Sequence, residues 1–206
     1  MDAAATAEDY LQIAIDAAAA GDGFQGALDA VPVPVYVTDA DGLVTYWNRA
    51  CVTFAGREPQ LGQDRWCVTW QLYTTSGDRL PHDRCPMAEA INKQVPIRGK
   101  IAIALRPDGT RAAFRAYPTP FIDESGALTG AINLLLDVSD EQANALSEQS
   151  ARCRRLAQAT HDRGASAMLE QMACDYATSA AALAGERQDG VGDEPSIFSV
   201  GVPTIS

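Results

Sequence analysis

"VYVTDADGLVTYWNRACVTFAGREPQLG", Val35 to Gly62, carries the local signals on which the fold is read. Val33 to Thr38 is β-branched and aromatic. Asp39-Ala40-Asp41-Gly42 supplies residues that tolerate turn backbone angles, and Leu43 to Tyr46 resumes the strand pattern, so the segment predicts a β-hairpin. From Asn48 to about Pro96 the alternation is lost and helix-like spacing appears in short pieces. Three strand candidates follow, Ile97 to Leu105, Arg111 to Phe121 and Leu128 to Val138. The turn sequences Arg106-Pro107-Asp108-Gly109 and Asp123-Glu124-Ser125-Gly126 separate them. Two strands, short helices, then three strands predict an α+β domain with a five-stranded antiparallel sheet and helices over one face.

The last strand candidate is apolar on both sides. Ile132, Leu134 and Leu136 lie on one face, Ala131 and Leu135 on the other, with Asn133 among the latter. Both faces must therefore be covered, one by the short helices and the other by an N-terminal helix or a partner subunit. An amide in the middle of such a strand needs a hydrogen-bond partner, which a ligand, a water or a backbone group could supply.

Outward from this core, Ala7 to Ala20 places Tyr10, Leu11, Ala14 and Ala18 on one helical face, and Gly21-Asp22-Gly23 ends the pattern. Asp140 to Gln158 carries a thin stripe of Ala143, Leu146, Ser150, Cys153 and Ala157, spaced like a coiled-coil seam. After Asp162-Arg163-Gly164 a fuller stripe runs through Ala165, Met168, Leu169, Met172, Ala173, Tyr176, Ala177 and Ala180, so the pair predicts a helical hairpin. The expected organisation is an N-terminal helix in 1–27, a central domain over 28–139, the hairpin over 140–186 and a flexible tail over 187–206.

Composition narrows the function classes. The chain has 206 residues, 47% of them hydrophobic, and a net charge of −11. That charge opposes non-specific nucleic-acid binding, and the only dense basic patch is Arg152, Arg154 and Arg155, read as a solvated helix face. No apolar run approaches the roughly 18–20 residues of a membrane helix, and the alanine-rich acidic start is unlike a signal peptide, so the expected location is the cytoplasm, with no membrane partner. Five irregularly spaced cysteines do not form a disulfide pattern. No paired carboxylates, phosphate-cradling glycine loop or nucleophile elbow is present, so no enzymatic activity is assigned.

Val35 to Gly62 resembles the opening of the PAS sensor fold, with a strand ending at Asp39, a Gly42 turn, Asn48 at the start of the helices, Gly56-Arg57 and Leu61-Gly62. Arg106 to Asp140, "RPDGTRAAFRAYPTPFIDESGALTGAINLLLDVSD", resembles its closing three strands. In that family a triplet like Asp137-Val138-Ser139 joins sensor to output helix. "WCVTWQLY", "LPHDRCPM" and "YPTPFIDESGALTGAINLLLDVS" are similar to PAS domains preceding HWE-type histidine kinases in alphaproteobacteria. The resemblance implies a ligand cavity between sheet and helices, walled by Trp66, Trp70, His82 and Met87 from the helical side and Ile103, Phe114, Asn133 and Leu135 from the strands. It names no cofactor.

Departures from the family limit the chemistry. The flavin-reactive Asn-Cys-Arg-Phe-like motif is missing, because Leu61-Gly62 leads to Gln63-Asp64-Arg65-Trp66 and Cys67 falls too late. A haem reading rests on His82, the sole histidine of the sensor region, since His161 falls at the break between the C-terminal helices. His82, Cys85 and Cys67 could be part of a metal site but lack a clear fourth ligand. The competing structural reading has His82 or Asp83 capping a helix with Pro86 in its first turn. No kinase module follows Ser139. The resulting expectation is a stand-alone PAS sensory protein that binds a small ligand. It would relay its state through Asp137, Val138 and Ser139 to a histidine kinase or response regulator, as a homodimer. The alternatives are a ligand-free dimerising adaptor and a haem-based gas or redox sensor through His82.

Overall fold

The computed structural model describes residues 3–19 and 24–185; the expected glycine stop at Gly21-Asp22-Gly23 and the 187–206 tail lie outside them. Helices α1 (Ala3–Ala19) and α2 (Phe24–Asp29) precede the predicted hairpin, β1 (Val35–Asp39) and β2 (Val44–Trp47). Its turn is held by the Asp39 carboxylate, which accepts from the amides of Asp41 and Leu43 at 3.0 and 2.9 Å. Helix α3 (Arg49–Ala55) follows, then β3 (Gln71–Tyr73), β4 (Arg79–Leu80), a 3₁₀ turn (His82–Arg84) and α4 (Pro86–Lys93). The sheet closes with β5 (Lys100–Leu105), β6 (Arg111–Ala116), β7 (Thr119–Ile122) and β8 (Leu128–Asp137). Helices α5 (Ser139–Ala159) and α6 (Arg163–Ala184) form the predicted hairpin.

The sheet is antiparallel in every pairing, in the order β2-β1-β8-β6-β5-β3-β4, with β7 also on β8. It has eight strands, not the five expected. The region expected to carry only short helical pieces, Asn48 to about Pro96, also contains the short β3–β4 hairpin, turned at Ser76-Gly77. The expected Arg111–Phe121 strand is two strands, broken where Pro118 can offer no N–H to a ladder. The central position of β8 explains why its sequence is apolar on both faces.

Three apolar clusters follow from the two-sided sheet. Between the inner face and α3, the 3₁₀ turn and α4 lie Tyr36, Phe54, Cys67, Leu72, Met87, Phe114 and Leu135. On the outer face, Leu11 and Ala14 of α1 and Leu28 of α2 cover Val35, Ile132 and Leu134. Farther along that face, Ala143 of α5 and Leu183 of α6 pack with Ile103, Ala113 and Val138. The expected N-terminal helix therefore lies on the outer face, and the C-terminal hairpin, not a partner subunit, covers the rest of it within one chain. Within the hairpin, Ser150 Oγ donates to the Ala173 carbonyl at 2.7 Å. Gly164 is not a break, because α6 begins at Arg163, capped by Asp162, whose carboxylate accepts from Gly164 and Ala165. Of the expected α6 stripe, Ala173 and Ala180 are buried, whereas Met168 is 68% exposed. Among the described residues no helix is long and apolar enough to cross a membrane.

Candidate ligand site and signal joint

Asn48 shows how the sequence closes one end of the inner layer. It stands at the start of α3 without capping it; buried, its Oδ1 accepts from Val35 N at 3.1 Å. Its Nδ2 lies within 2.9 to 3.2 Å of the carbonyls of Leu28, Val31 and Val33, which ties the α2–β1 linker to the sheet. One amide thereby satisfies backbone groups that the irregular linker leaves open.

Deeper in the same layer a polar chain crosses the apolar interior. Asn133 of β8 donates through Nδ2 to the Tyr36 hydroxyl at 2.9 Å, and that hydroxyl donates to the Trp66 carbonyl at 3.0 Å. Asn133 Oδ1 accepts from the amide of Tyr117 at 3.1 Å, at the break between β6 and β7. Trp66 is held at φ 69°, and its ring lies against Gly42; a Cβ there would fall 2.2 Å from the Trp66 ring, so only glycine admits the contact. The chain thus connects β8, β1 and the segment after α3 through neighbours made close by the fold.

Around this chain stand Cys51, Cys67 and Cys85, all buried. Burial pushes each thiol up from its ordinary pKa, and the Tyr36 phenol well above its own, so these groups are neutral at physiological pH. Cys67 Sγ is 3.1 Å from Thr69 Oγ1, and Cys85 Sγ points to the Trp66 carbonyl at 3.6 Å. A buried neutral thiol is a poor nucleophile. Two inner-face polar atoms, Thr38 Oγ1 and Trp47 Nε1, are buried without a hydrogen-bond partner.

Of the residues expected to wall the cavity, Trp66, Met87, Phe114, Asn133 and Leu135 converge on this inner layer. Three stand elsewhere. Ile103 faces outward beneath α5 and α6, because β5 turns its alanines, Ala102 and Ala104, inward. Trp70 is 45% exposed and lines an outer groove with Arg79 and His82. His82 begins the 3₁₀ turn, where its carbonyl accepts from Cys85 N. Neither His82 nor Asp83 caps α4: Cys85 holds the cap position without a side-chain bond, and Pro86 is the first helical residue as expected. Burial and the nearby Arg57 and Arg79 lower the His82 pKa, against Asp64 and Asp83. His82 is therefore separated from the interior, and among the described residues no three metal-ligating side chains converge. Sequence reasoning missed Tyr36, whose strand position opposite Asn133 follows only from the β1–β8 register.

The expected relay triplet forms a tight joint. Val138 N donates to the Ala113 carbonyl at 2.9 Å, and Ser139 Oγ accepts from Ala113 N at 3.0 Å. The Asp137 carboxylate accepts from Ser139 N at 2.8 Å, and Arg115 of β6 pairs with Glu141 of α5 at 2.6 Å. Strand β8 thus carries Asn133 inside the domain and passes directly into the anchored first turn of α5.

An antiparallel sheet with short helices on its inner face, and a long helix leaving the end of its last strand, defines an α+β domain. The family model for the PAS fold matches residues 28–143, more than half of the chain, and the chain belongs to that family. A search of curated proteins gives no significant match. Among solved structures, a Rhodobacter sphaeroides LOV protein is similar at 13% identity and TM-score 0.46, covering 90% of this chain and 97% of that one. The LOV domain of the Erythrobacter litoralis EL346 blue-light activated histidine kinase aligns at 18% identity and TM-score 0.41, over 52% and 96% of the two chains. The PAS domain of the fruit-fly ELK potassium channel aligns at 13% and 0.42, over 60% and 95%.

Proposed function

We propose that this chain is a cytoplasmic PAS sensory protein that takes a small, mainly apolar ligand between its inner sheet face and helices. It would report occupancy through Asp137-Val138-Ser139 to its C-terminal hairpin. The hairpin then presents a dimer or a surface for a histidine kinase or response regulator. The observation that carries this reading is the position of Asn133, bonded to Tyr36 in the interior and riding on the strand that becomes α5. A ligand that competes for the Asn133–Tyr36–Trp66 chain changes the packing of β8, and the equilibrium of the joint shifts by no more than the ligand's differential affinity for the two arrangements. The inner face has material to yield: Ala102, Ala104, Ala112, Ala116 and Ala131 leave its floor low, and Met87 is a side chain that repacks readily. Thr38 Oγ1 and Trp47 Nε1 offer unpartnered donors.

A second reading, a ligand-free adaptor, is favoured by one observation. Both the oxygen and the nitrogen of the Asn133 amide already bond protein atoms, so this group needs no guest. Mass spectrometry of small molecules released from the purified, denatured protein separates the two. A stoichiometric molecule that is lost in Asn133→Leu supports the sensor. Its absence, together with partner capture that requires only α5 and α6, supports the adaptor.

A further inference from the structure

Where α6 crosses the outer face of the sheet, a half-enclosed cleft of about 240 Å³ remains, on the opposite side from the interior just described. Ile103 of β5 and Arg111 of β6 form its floor; Leu146 of α5 and Tyr176 and Leu183 of α6 form its far wall, and the Thr74–Gly77 turn forms its rim. The volume equals about eight waters at roughly 30 Å³ each, the size of a small organic acid.

The charge pattern of β6 points to the missing ligand class. Arg111 and Arg115 lie on the same face of that strand. Arg115 is answered by Glu141 of α5 at 2.6 Å. Arg111 has its guanidinium carbon 5.0 Å from the Tyr73 ring centroid, and among the described residues no carboxylate pairs with it. Asp175 also lines the cleft, but it is exposed, its carboxylate accepts from Gln171 Nε2 at 2.9 Å, and it does not bond Arg111. Beside that ring the guanidinium has no carboxylate partner among the described residues, so its N–H groups remain available to one. In a chain of net charge −11, this cation is left without a carboxylate partner and shares the cleft with Ile103, Leu146 and Leu183, with Asp175 exposed at its edge.

We propose that this cleft binds a small organic carboxylate with a compact aromatic or branched apolar body. The carboxylate engages Arg111, and the body packs between Ile103, Leu146 and Leu183. Such a ligand touches sheet and hairpin together, so it binds the docked hairpin better than an undocked one and shifts the population toward docking. The site is independent of the interior ligand proposed above.

The test is a titration of the full chain with benzoate and with neutral, isosteric benzamide at fixed ionic strength, followed by amide NMR. Benzoate should give saturable shifts centred on Ile103, Arg111, Tyr176 and Leu183 and slower hydrogen exchange in α6. Benzamide, or benzoate with Arg111→Gln, should bind at least about tenfold more weakly, the loss of one charged hydrogen bond. Asp175→Asn, an exposed helical position that does not threaten the fold, should bind benzoate several-fold more tightly because a like charge is removed. Equal binding of benzamide, unchanged affinity in both variants, absence of saturation, or shifts centred on Asn133 would each overturn the proposal. The unliganded spectrum of Arg111→Gln shows whether α6 remains seated, and Asp175→Asn decides the matter if it does not.

Discussion

Asn133 and Tyr36, 97 positions apart in sequence, meet at 2.9 Å in the interior, the amide donating to the phenol oxygen. They face each other because β1 and β8 pair in a register that sets Tyr36 opposite Asn133. Removing either group breaks the shared bond: without Tyr36 the buried Asn133 Nδ2 loses its acceptor, and without Asn133 the Tyr36 oxygen loses its donor while still donating to Trp66. Tyr36→Phe should therefore lower stability by about 1–3 kcal/mol in urea unfolding, as should Asn133→Leu. The double variant should cost less than the sum, because each single change already breaks the shared bond. Additive losses would mean that the pair does not act as a unit.

Gly42 should be intolerant of the smallest side chain. Its φ of 82° disfavours any L residue, and a Cβ would meet the Trp66 ring at 2.2 Å. Gly42→Ala should cost about 2 kcal/mol or more, with a lowered Tm and a changed tryptophan environment in near-UV circular dichroism. An unchanged spectrum and Tm would show that the ring does not rest there.

Two contacts at the joint should differ in weight. Ser139→Ala leaves Ala113 N buried without its Oγ acceptor and should cost about 1–3 kcal/mol, with faster exchange at the start of α5. Glu141→Gln loses a pair whose acid is largely solvated, and should cost below about 1 kcal/mol, less still at high salt. The ranking is checked by thermal unfolding of both variants.

His82 should make the protein less stable as pH falls. Its folded pKa lies below the ordinary 6.5, so the unfolded chain takes up the proton first. Its contribution is fully present above about pH 6.5 and is lost as the pH falls from there toward the folded value. His82→Gln should flatten the unfolding free energy between about pH 7 and 5, measured in urea at several pH values; a slope identical to that of the parent protein would assign the dependence to other groups.

The sequence made the β1–β2 hairpin, the two-faced β8, the C-terminal helices and the importance of Asn133 legible, because turn chemistry and strand alternation are local signals. The β3–β4 hairpin was hidden, since Gln71–Tyr73 and Arg79–Leu80 are too short to show a period of two, although Ser76-Gly77 between them was a turn signal. Ile103 was assigned to the wrong face because β5 reverses the usual expectation. Its large residues pack outward against the hairpin and its alanines face the interior, and one residue of phase exchanges the two. The family resemblance places Trp70 and His82 on the cavity wall, whereas the turn into β3 and the 3₁₀ turn carry them to a groove outside it. Tyr36 could have been suspected as the only hydroxyl-bearing aromatic of β1, but its partner lies at the other end of the domain.

The proposed function requires that the state of the interior reach the C-terminal hairpin through β8. Hydrogen-exchange mass spectrometry of the full chain, comparing the parent protein with Asn133→Leu, tests this without knowledge of any ligand. Altered exchange in β1 and β8 is expected together with altered exchange across Ser139–Ala159 and in α6. A change confined to β1 and β8, with the hairpin exchanging as in the parent, would contradict it.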